Sequence, residues 1–193
     1  MVTLQEIICS HKRIEKFIHR TPVLTNQSLD EFTGTELYFK CENFQKAGAF
    51  KIRGATNAVQ QLSKEELKNG VATTSSGNHG AALAMAVSRI GGKVTVVMPD
   101  NSSLKKVNNV KRNGGNVIWC EPLQESREKV LSDFMVETGA VVIHPYNDER
   151  IIAGQGTAAM EFLEDQPDLD IIITPLSGGG LLSGTLCAAK NMK

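Results

Sequence analysis

The sequence lacks a net charge, because its 21 basic and 21 acidic residues cancel. A field that would attract nucleic acid or an anionic membrane is therefore not expected. No apolar run approaches the roughly 20 residues of a transmembrane helix. The start Met1–Glu6 also lacks the basic region and long apolar core of a signal peptide. These absences predict a cytoplasmic protein that binds neither nucleic acid nor membrane.

Cysteine is scarce and dispersed. The four cysteines, at positions 9, 41, 120 and 187, form no Cys-x-x-Cys pair. This spacing argues against a structural zinc site and against a small disulfide scaffold. Free thiols are the expected state. The chain also has no internal repeat, low-complexity run or flexible linker.

Apolar residues alternate between strand-like and helix-like segments. Short apolar, β-branched runs predict strands at Leu37–Cys41, Val71–Thr74, Val94–Val97, Val117–Cys120, Val141–Ile143 and Ile171–Thr174. Helical spacing predicts helices near the N-terminus and at Gly54–Leu62, Ala81–Ile90, Ser103–Asn113, Gln124–Glu137, Ile151–Leu163 and Leu181–Lys190. This alternation predicts an α/β fold with parallel sheets flanked by helices. Crossovers should be right-handed, and a ligand should lie at the carboxyl ends of the strands.

A lysine lies between small residues and an aromatic residue in the segment Gln45–Ala55, where Lys51 follows Phe50. Pyridoxal phosphate is an aldehyde that a lysine amine holds as an imine. An adjacent ring can lie against its pyridine face, and small neighbours let the backbone approach. Most lysines are solvated surface charges. The segment alone therefore leaves both interpretations open.

A second polar segment, Thr73–Gly80, follows a β-branched run and precedes a helix of small residues. It would present hydroxyl, amide and imidazole groups beside the free N–H groups of a helix N-terminus, where a carboxylate can be received. This pattern indicates a substrate clamp. The alternative is an ordinary N-cap turn, which would account for one serine and one glycine only.

A third segment, Pro175–Gly184, lies between an apolar run and a helical stretch. Its glycines allow consecutive N–H groups to point at one phosphate, helped by the positive end of the helix dipole. The loop is neither a Walker loop nor a Gly-x-Gly-x-x-Gly dinucleotide turn. It is interpreted as a phosphate cup, and a glycine turn without ligand is the alternative.

Together these segments resemble the pyridoxal phosphate enzymes that dehydrate or racemise serine and threonine, of the tryptophan-synthase-β fold type. The resemblance is greatest to the serine racemases. It runs through the segments His19–Val23, Phe44–Ala55, Ser75–Gly80, Glu125–Glu128, His144–Pro145, Ala153–Thr157 and the glycine loop. Two positions depart from the usual family pattern. Ser177 stands where the family usually begins a four-glycine run, and Ala49 stands where many relatives carry serine.

The resemblance implies a two-lobed molecule of pyridoxal phosphate fold type II with an incomplete large lobe. Residues 1–50 would begin the large lobe, residues 51–145 would form the small lobe, and residues 146–193 would return to the large lobe with the phosphate loop. Members of the family are much longer. The part absent here would hold further strands, the hydroxyl that bonds the pyridine nitrogen and the acidic ligands of a divalent cation. A fragment, a truncated isoform or a partner chain completing the sheet would each explain the length.

The resemblance also implies roles for individual residues. Lys51 would hold the cofactor as a Schiff base and remove the substrate α-proton, with Ser76 as the acid/base on the opposite face. Ser76 could instead be a plain carboxylate-binding hydroxyl, as in dehydratases that do not racemise. Phe50 would pack on the cofactor ring, and Asn78 would bond its ring hydroxyl. The cup residues are Ser177, Gly178, Gly179, Gly180 and Leu181.

Ser75 and His79 would meet the substrate carboxylate. Arg127 would either face the substrate or form an ordinary solvated ion pair. The implied substrates are serine and threonine, and the implied assembly is a homodimer. Mg²⁺ or Ca²⁺ and ATP are further ligands that the resemblance suggests, but no metal ligands are assigned in this chain.

Two rival functions remain open. A β-replacement enzyme of the cysteine-synthase kind typically has an acidic residue after the lysine, whereas Ile52–Arg53–Gly54 follows here. A non-catalytic form that pairs with a full-length subunit is favoured by the length alone.

Overall fold

The computed structural model describes residues 1–75 and 77–192. Two short 3-10 turns, Glu42–Phe44 and Lys46–Gly48, precede the third helix. The helices and strands are, in chain order, α1 (Leu4–Ile14), β1 (Val23–Leu24), α2 (Gln27–Thr33), β2 (Phe39–Lys40), α3 (Lys51–Val59), α4 (Lys64–Asn69), β3 (Val71–Thr74), α5 (Asn78–Ser88), β4 (Val94–Pro99), α6 (Leu104–Arg112), β5 (Asn116–Cys120), α7 (Gln124–Thr138), β6 (Val141–Val142), α8 (Glu149–Asp165) and α9 (Gly180–Met192).

A parallel sheet of four strands lies at the centre, in the order β5-β4-β3-β6. Val71 of β3 pairs with Val94 of β4 on one side and with Val141 of β6 on the other. Every residue of β4 is buried, as expected of an internal strand of a parallel sheet covered on both faces. β1 and β2 form a separate antiparallel pair.

The order of the strands reverses next to β3. The chain moves outward from β3 through β4 to β5, and then returns to place β6 on the other side of β3. Right-handed crossovers place α5 and α6 on one face and α7 on the other, and α5 packs against α6. A crevice therefore opens between the loops that follow β3 and β6, where doubly wound sheets bind ligands.

Close contacts at glycines hold helices α3 and α9 against helix α8. A Cβ on Gly154 of α8 would lie 2.6 Å from the Cα of Gly54 in α3. On the other side, a Cβ on Gly184 of α9 would lie 2.6 Å from the backbone nitrogen of Gly156. Both contacts require the absence of a side chain. They fix α3, and the lysine at its start, against α8.

The α/β fold with a parallel sheet is confirmed, and four of the predicted strands form that sheet. The strand predicted at Ile171–Thr174 is wrong, because the structure assigns no strand there. An extended segment needs a neighbour to satisfy its backbone groups, and no described strand pairs with this one. The strand predicted at Leu37–Cys41 shortens to β2. The lobe boundaries at residues 50 and 145 stay a prediction.

Candidate active site

Lys51 is the first residue of α3 and lies at the crevice beside β6. Its Nζ donates a hydrogen bond to the backbone oxygen of Pro145, which follows β6, at 2.9 Å. The side chain is half-buried, and this burial lowers the pKa of its amine. Desolvation acts in this direction because it disfavours the charged form. The lysine identified from the sequence therefore has an environment that favours a neutral amine.

The backbone before the lysine is held in an unusual conformation. Ala47 and Gly48 both have positive φ, 62° and 76°, a region that is costly for alanine. The buried Gln45 side chain fixes this turn, because its Oε1 accepts from the N–H groups of His19 and Lys46 while its Nε2 donates to the His19 oxygen. The hydrogen bonds of one side-chain amide thus set how the chain enters α3.

His79 is a buried neutral imidazole in the same crevice. Its Nε2 lies 3.3 Å from the Ile143 oxygen, and its Nδ1 has no hydrogen-bond partner among the described residues. Burial, with a smaller contribution from the charge of Lys51, lowers the pKa of His79 to about 3. A neutral ring that donates from Nε2 leaves Nδ1 as an acceptor.

His144 and Tyr146 form the rim next to Lys51, and the sequence analysis assigns neither a role. The Nδ1 of His144 accepts from the N–H groups of Tyr146 and Asn147, and the two rings meet edge to face at 4.5 Å. Burial lowers the pKa of His144; the Asp148 charge opposes this shift, and the Lys51 charge adds a smaller lowering. Because Nδ1 accepts, the proton of the neutral ring lies on Nε2. The sequence signals for this rim are its position shortly after β6 and the resemblance of His144–Pro145 to the family.

The glycine loop packs against this rim. A Cβ on Gly178 would overlap the Tyr146 ring, and one on Gly180 would lie 3.2 Å from the Tyr146 backbone. Tyr146 directly follows Pro145, the acceptor of Lys51. The predicted phosphate cup and the predicted cofactor lysine, more than 120 residues apart in the sequence, are thus brought to one place.

The opposite side of the loop is open. Around Gly179, with φ of 85°, no atom of the described residues other than its chain neighbours lies within 4 Å of the position of a Cβ, and α9 begins at the next residue. Ser177 adopts φ of 44°, in the region that favours glycine. A serine at this position departs from the family pattern and therefore adopts a costly backbone conformation.

The turn after β3 is organised by Ser75. Its hydroxyl oxygen accepts from the N–H groups of Gly77, the N-cap residue of α5, and Gly80, and its predicted contact with the substrate carboxylate stays a prediction. Asn78 is exposed at the first position of α5. Ser76 lies outside the described residues, and its role stays a prediction.

Phe50 and Arg127 occupy different surroundings. The Phe50 ring centroid lies 5.3 Å from the Nζ of Lys51. Arg127 lies near Cys120, where burial raises the pKa of the thiol and the arginine charge opposes that rise. Cys120 ends β5, three strands from β6 and therefore about 14 Å away. The Nε of Arg127 is buried and has no hydrogen-bond partner among the described residues, and the predicted role of Arg127 at the substrate stays a prediction.

A buried ion-pair network that sequence reasoning missed lies directly behind the lysine. Arg53 is fully buried, and its guanidinium binds Glu161 of α8 through two bonds of 2.7 and 2.8 Å and Glu42 through two more. Lys40 adds a contact of 3.0 Å to Glu161. Paired bonds of this kind fix both position and orientation. The available sequence signal was a glutamate within the otherwise apolar stretch Ala158–Leu163.

The described residues fit pyridoxal phosphate. An amine whose pKa is lowered by burial suits imine formation, and an open glycine turn at the start of a helix suits a phosphate. The unpartnered Nδ1 of His79 is a further polar atom in the same crevice. These groups come from segments that the fold brings together at the switch point of the sheet.

Comparison with known proteins agrees with this geometry. The family described as pyridoxal-phosphate dependent enzyme matches residues 14–193. The chain belongs to this family. Within residues 1–75 and 77–192, no helix is long and apolar enough to cross a membrane.

Three family members show how far the similarity extends. The chain is 53% identical to a serine racemase from Arabidopsis thaliana, covering 95% of this chain and 56% of that protein. It is 48% identical to a beta-hydroxyaspartate dehydratase from Paracoccus denitrificans, covering 95% and 58%. A crystal structure of serine racemase from Dictyostelium discoideum superposes with a TM-score of 0.94 at 49% identity, covering 99% and 62%. The chain thus spans little more than half the length of these relatives.

Proposed function

We propose that this chain carries the lysine-bearing half of a pyridoxal phosphate enzyme that racemises serine and dehydrates serine or threonine. The observation that supports this most is the placement of the Lys51 amine. It is half-buried, has a lowered pKa, and lies against the same loop that contacts the glycine turn. Relatives named serine racemase and dehydratase are similar along nearly the whole chain.

The proposal gives a task to each site residue of this chain. Bound pyridoxal phosphate supplies an electron sink for the carbanion at the substrate Cα. Lys51 holds the cofactor and, once released, its neutral amine removes the α-proton. The N–H groups of Asn78 and His79 begin α5 without an acceptor among the described residues, so they are available to the substrate carboxylate.

The fate of the substrate depends on the opposite face. We assign to Ser76 the donation of a proton from that side, which inverts the Cα centre. Loss of the β-hydroxyl instead leads to the keto acid and ammonia. In an extended chain, Ser76→Ala should lower racemisation of serine about a hundredfold, the usual effect of removing a positioned acid/base, while dehydration of L-serine falls far less. Equal loss of both activities would assign Ser76 to substrate binding.

The cofactor site is tested by spectroscopy. The purified chain, incubated with pyridoxal phosphate, should show an imine absorbance band that becomes permanently attached to the protein after borohydride reduction. Lys51→Ala should abolish this attachment and leave the circular dichroism spectrum unchanged. Lys64→Ala, at an exposed lysine of α4, is the matched control and should retain it. Persistent attachment in Lys51→Ala would refute the assignment.

Product analysis separates the alternatives. An extended chain that carries the rest of the large lobe, given L-serine, should yield both D-serine and pyruvate, whereas the 193-residue chain alone should show little or no turnover. Pyruvate without D-serine would identify a dehydratase that does not racemise. Trapped cofactor without either product would support a non-catalytic form that pairs with a longer subunit.

A further inference from the structure

The segment that joins β6 to α8 contacts both the predicted cofactor lysine and the glycine loop. We call residues 144–147 the rim turn. Its Pro145 oxygen accepts a hydrogen bond from the Nζ of Lys51 at 2.9 Å. Its Tyr146 ring lies where a Cβ on Gly178 would overlap it. The conformation of this one turn therefore determines where the amine and the loop stand relative to each other.

The backbone of the rim turn is not held by neighbouring backbone groups. Among the described residues, no hydrogen bond between backbone groups involves residues 144–147. Before the turn, the Ile143 N–H bonds to the Ala72 oxygen, and after it the Ile152 N–H bonds to the Asp148 oxygen. A side chain therefore has to supply the hydrogen bonds that fix the turn between these two points.

His144 supplies these bonds with a single nitrogen. Its Nδ1 accepts from the N–H of Tyr146 at 3.3 Å and from the N–H of Asn147 at 2.9 Å. Asparagine and aspartate side chains form turns in the same way, by accepting from the N–H two residues further on. The imidazole also meets the Tyr146 ring edge to face, at 4.5 Å and 89°. Only a ring whose Nδ1 carries no proton can accept both bonds.

The charged groups around His144 are consistent with a neutral ring. Burial lowers the pKa of His144, and the Lys51 charge adds a smaller lowering. The Asp148 carboxylate opposes this shift, but it is paired with Arg150 at 2.7 Å. His79, the remaining titratable group of the crevice, is neutral as well, because burial lowers its pKa to about 3.

We propose that His144 is a positioning residue of the cofactor site: its unprotonated Nδ1 fixes the rim turn, which in turn places the Lys51 amine and the glycine loop. The inference rests on the proposed function, because it takes Lys51 as the residue that holds pyridoxal phosphate. His144 acts here only through Pro145 and Tyr146. A carbonyl that accepts one N–H of the neutral amine directs the lone pair of that amine away from itself. Errors in such placement lower reaction rates strongly.

Two substitutions separate the acceptor from the ring. In His144→Asn, the side-chain oxygen is as many bonds from the backbone as Nδ1 and can accept from the same N–H groups. His144→Leu keeps the bulk near the backbone but has no acceptor. The rate of borohydride-trapped attachment at saturating pyridoxal phosphate reports on the Lys51 amine. Calorimetry with deoxypyridoxine phosphate, a cofactor analogue without the aldehyde, reports on the glycine loop.

His144→Leu should lower both the trapping rate and the analogue affinity about tenfold, the effect of losing one or two net hydrogen bonds. His144→Asn should restore both to within about twofold of the wild type, since its acceptor replaces Nδ1. This rescue distinguishes the acceptor from the packing of an aromatic ring, which asparagine cannot replace. Circular dichroism checks that both variants fold.

Three outcomes would overturn the proposal. Loss of both properties in a folded His144→Asn variant would assign the effect to packing of the ring. Wild-type values in a folded His144→Leu variant would show that the turn does not need the acceptor. A fall in only one of the two properties would show that the turn does not place the amine and the loop together.

A measurement on the wild type keeps the proposal testable if His144→Leu does not fold. The chain has only four histidines, so ¹⁵N NMR can resolve their ring nitrogens. An unprotonated Nδ1 of His144 at neutral pH supports the proposal, and a protonated one contradicts it. Failure of the wild type to trap pyridoxal phosphate would instead count against the proposed function, and the analogue affinities and the NMR result would still decide the role of His144.

Discussion

At the scale of single residues, acidic partners decide whether a buried basic group keeps its charge. Lys51 is half-buried with a backbone oxygen as its hydrogen-bond acceptor, so its pKa falls. Arg53, two residues later, is fully buried between carboxylates, so its charge is retained and its pKa is raised. The pKa of Lys51 is thus lowered and the pKa of Arg53 is raised, although both lie in one helix turn, because only Arg53 meets acidic partners.

Arg53→Met should destabilise the fold strongly. It leaves Glu161 buried without its main partner, and breaking a buried pair in this way costs about 3–5 kcal/mol. Urea unfolding followed by circular dichroism measures the change. Lys129→Met, at an exposed pair with Asp133, is the control and should leave the unfolding midpoint unchanged. Similar midpoints for the two variants would show that the Arg53 network is dispensable.

The stability of the protein should fall in mildly acidic solution because of His79. Its pKa is lowered to about 3 in the fold, whereas an exposed histidine titrates near 6.5. Between these values the unfolded chain binds a proton that the folded chain does not, so stability is complete above about pH 6.5 and decreases as the pH falls. From pH 7.5 to pH 5.0 this residue should contribute a loss of about 2 kcal/mol.

Urea unfolding at the two pH values checks this prediction. Gln is the matched replacement, since its amide can still donate to the Ile143 oxygen but does not titrate. His79→Gln should lose most of the pH dependence, and the remainder belongs to His144, whose pKa burial lowers in the same direction. An unchanged pH dependence in the variant would contradict the assignment.

At the scale of helices and strands, small residues decide where the site is built. Helix α8 touches both α3 and α9 through glycines, so Lys51 and the glycine loop are held by one common element. The buried Gln155 adds a bond from the Gly54 N–H to its Oε1 at 3.3 Å. The sequence predicted the helices, but the requirement for glycine at their crossings follows only from their close approach.

Gly154→Ala should push α3 away from α8. The added Cβ would lie 2.6 Å from Gly54, a distance that no real Cβ contact tolerates, and overpacking of this kind costs about 1–3 kcal/mol. Unfolding curves should show this loss. Because Lys51 begins α3, the fraction of borohydride-trapped cofactor should fall as well. A variant with wild-type stability and trapping would show that α8 can shift without affecting the site.

At the scale of the whole molecule, apolar surface remains uncovered. An apolar cleft of about 660 Å³ lies beside the β1–β2 pair. Its lining includes Leu24, Phe39, Phe50, Phe162, Ile173 and Leu181. Ile171 and Ile173 are 77% and 90% exposed. Contiguous apolar surface of this kind promotes association.

The 193-residue chain should therefore self-associate. Light scattering after gel filtration should give a mass above the 21.0 kDa of one chain. The double change Ile171→Glu and Ile173→Glu should shift it towards the monomer, because charge on this surface opposes burial. Val136→Glu, at an isolated residue of α7 that is 87% exposed, is the control and should not change the mass. A monomeric wild type would contradict this expectation.

The sequence by itself determined the family, the α/β class and the three segments that approach one another at the site. These are local signals: a lysine beside an aromatic residue, a polar turn before a helix, and a glycine run after an apolar stretch. Helices α6, α7, α8 and α9 begin and end within two residues of their predicted bounds, because apolar spacing reports which face is buried. Helices α3 and α5 begin three residues earlier than predicted, and the short helices α2 and α4 were not predicted. The strand predicted at Ile171–Thr174 failed because a strand depends on a neighbour that spacing does not reveal.

Only the tertiary structure decided how these segments act together. Arg53 meets Glu161 across 108 residues, and Lys51 meets Pro145 across 94, distances over which sequence spacing carries no information. The same holds for the Tyr146 rim under the glycine loop and for Lys106 over Gly77. Burial and electrostatic partners exist only once the chain has folded. The sequence can therefore indicate a candidate cofactor lysine, but the fold sets its pKa and the charged groups around it.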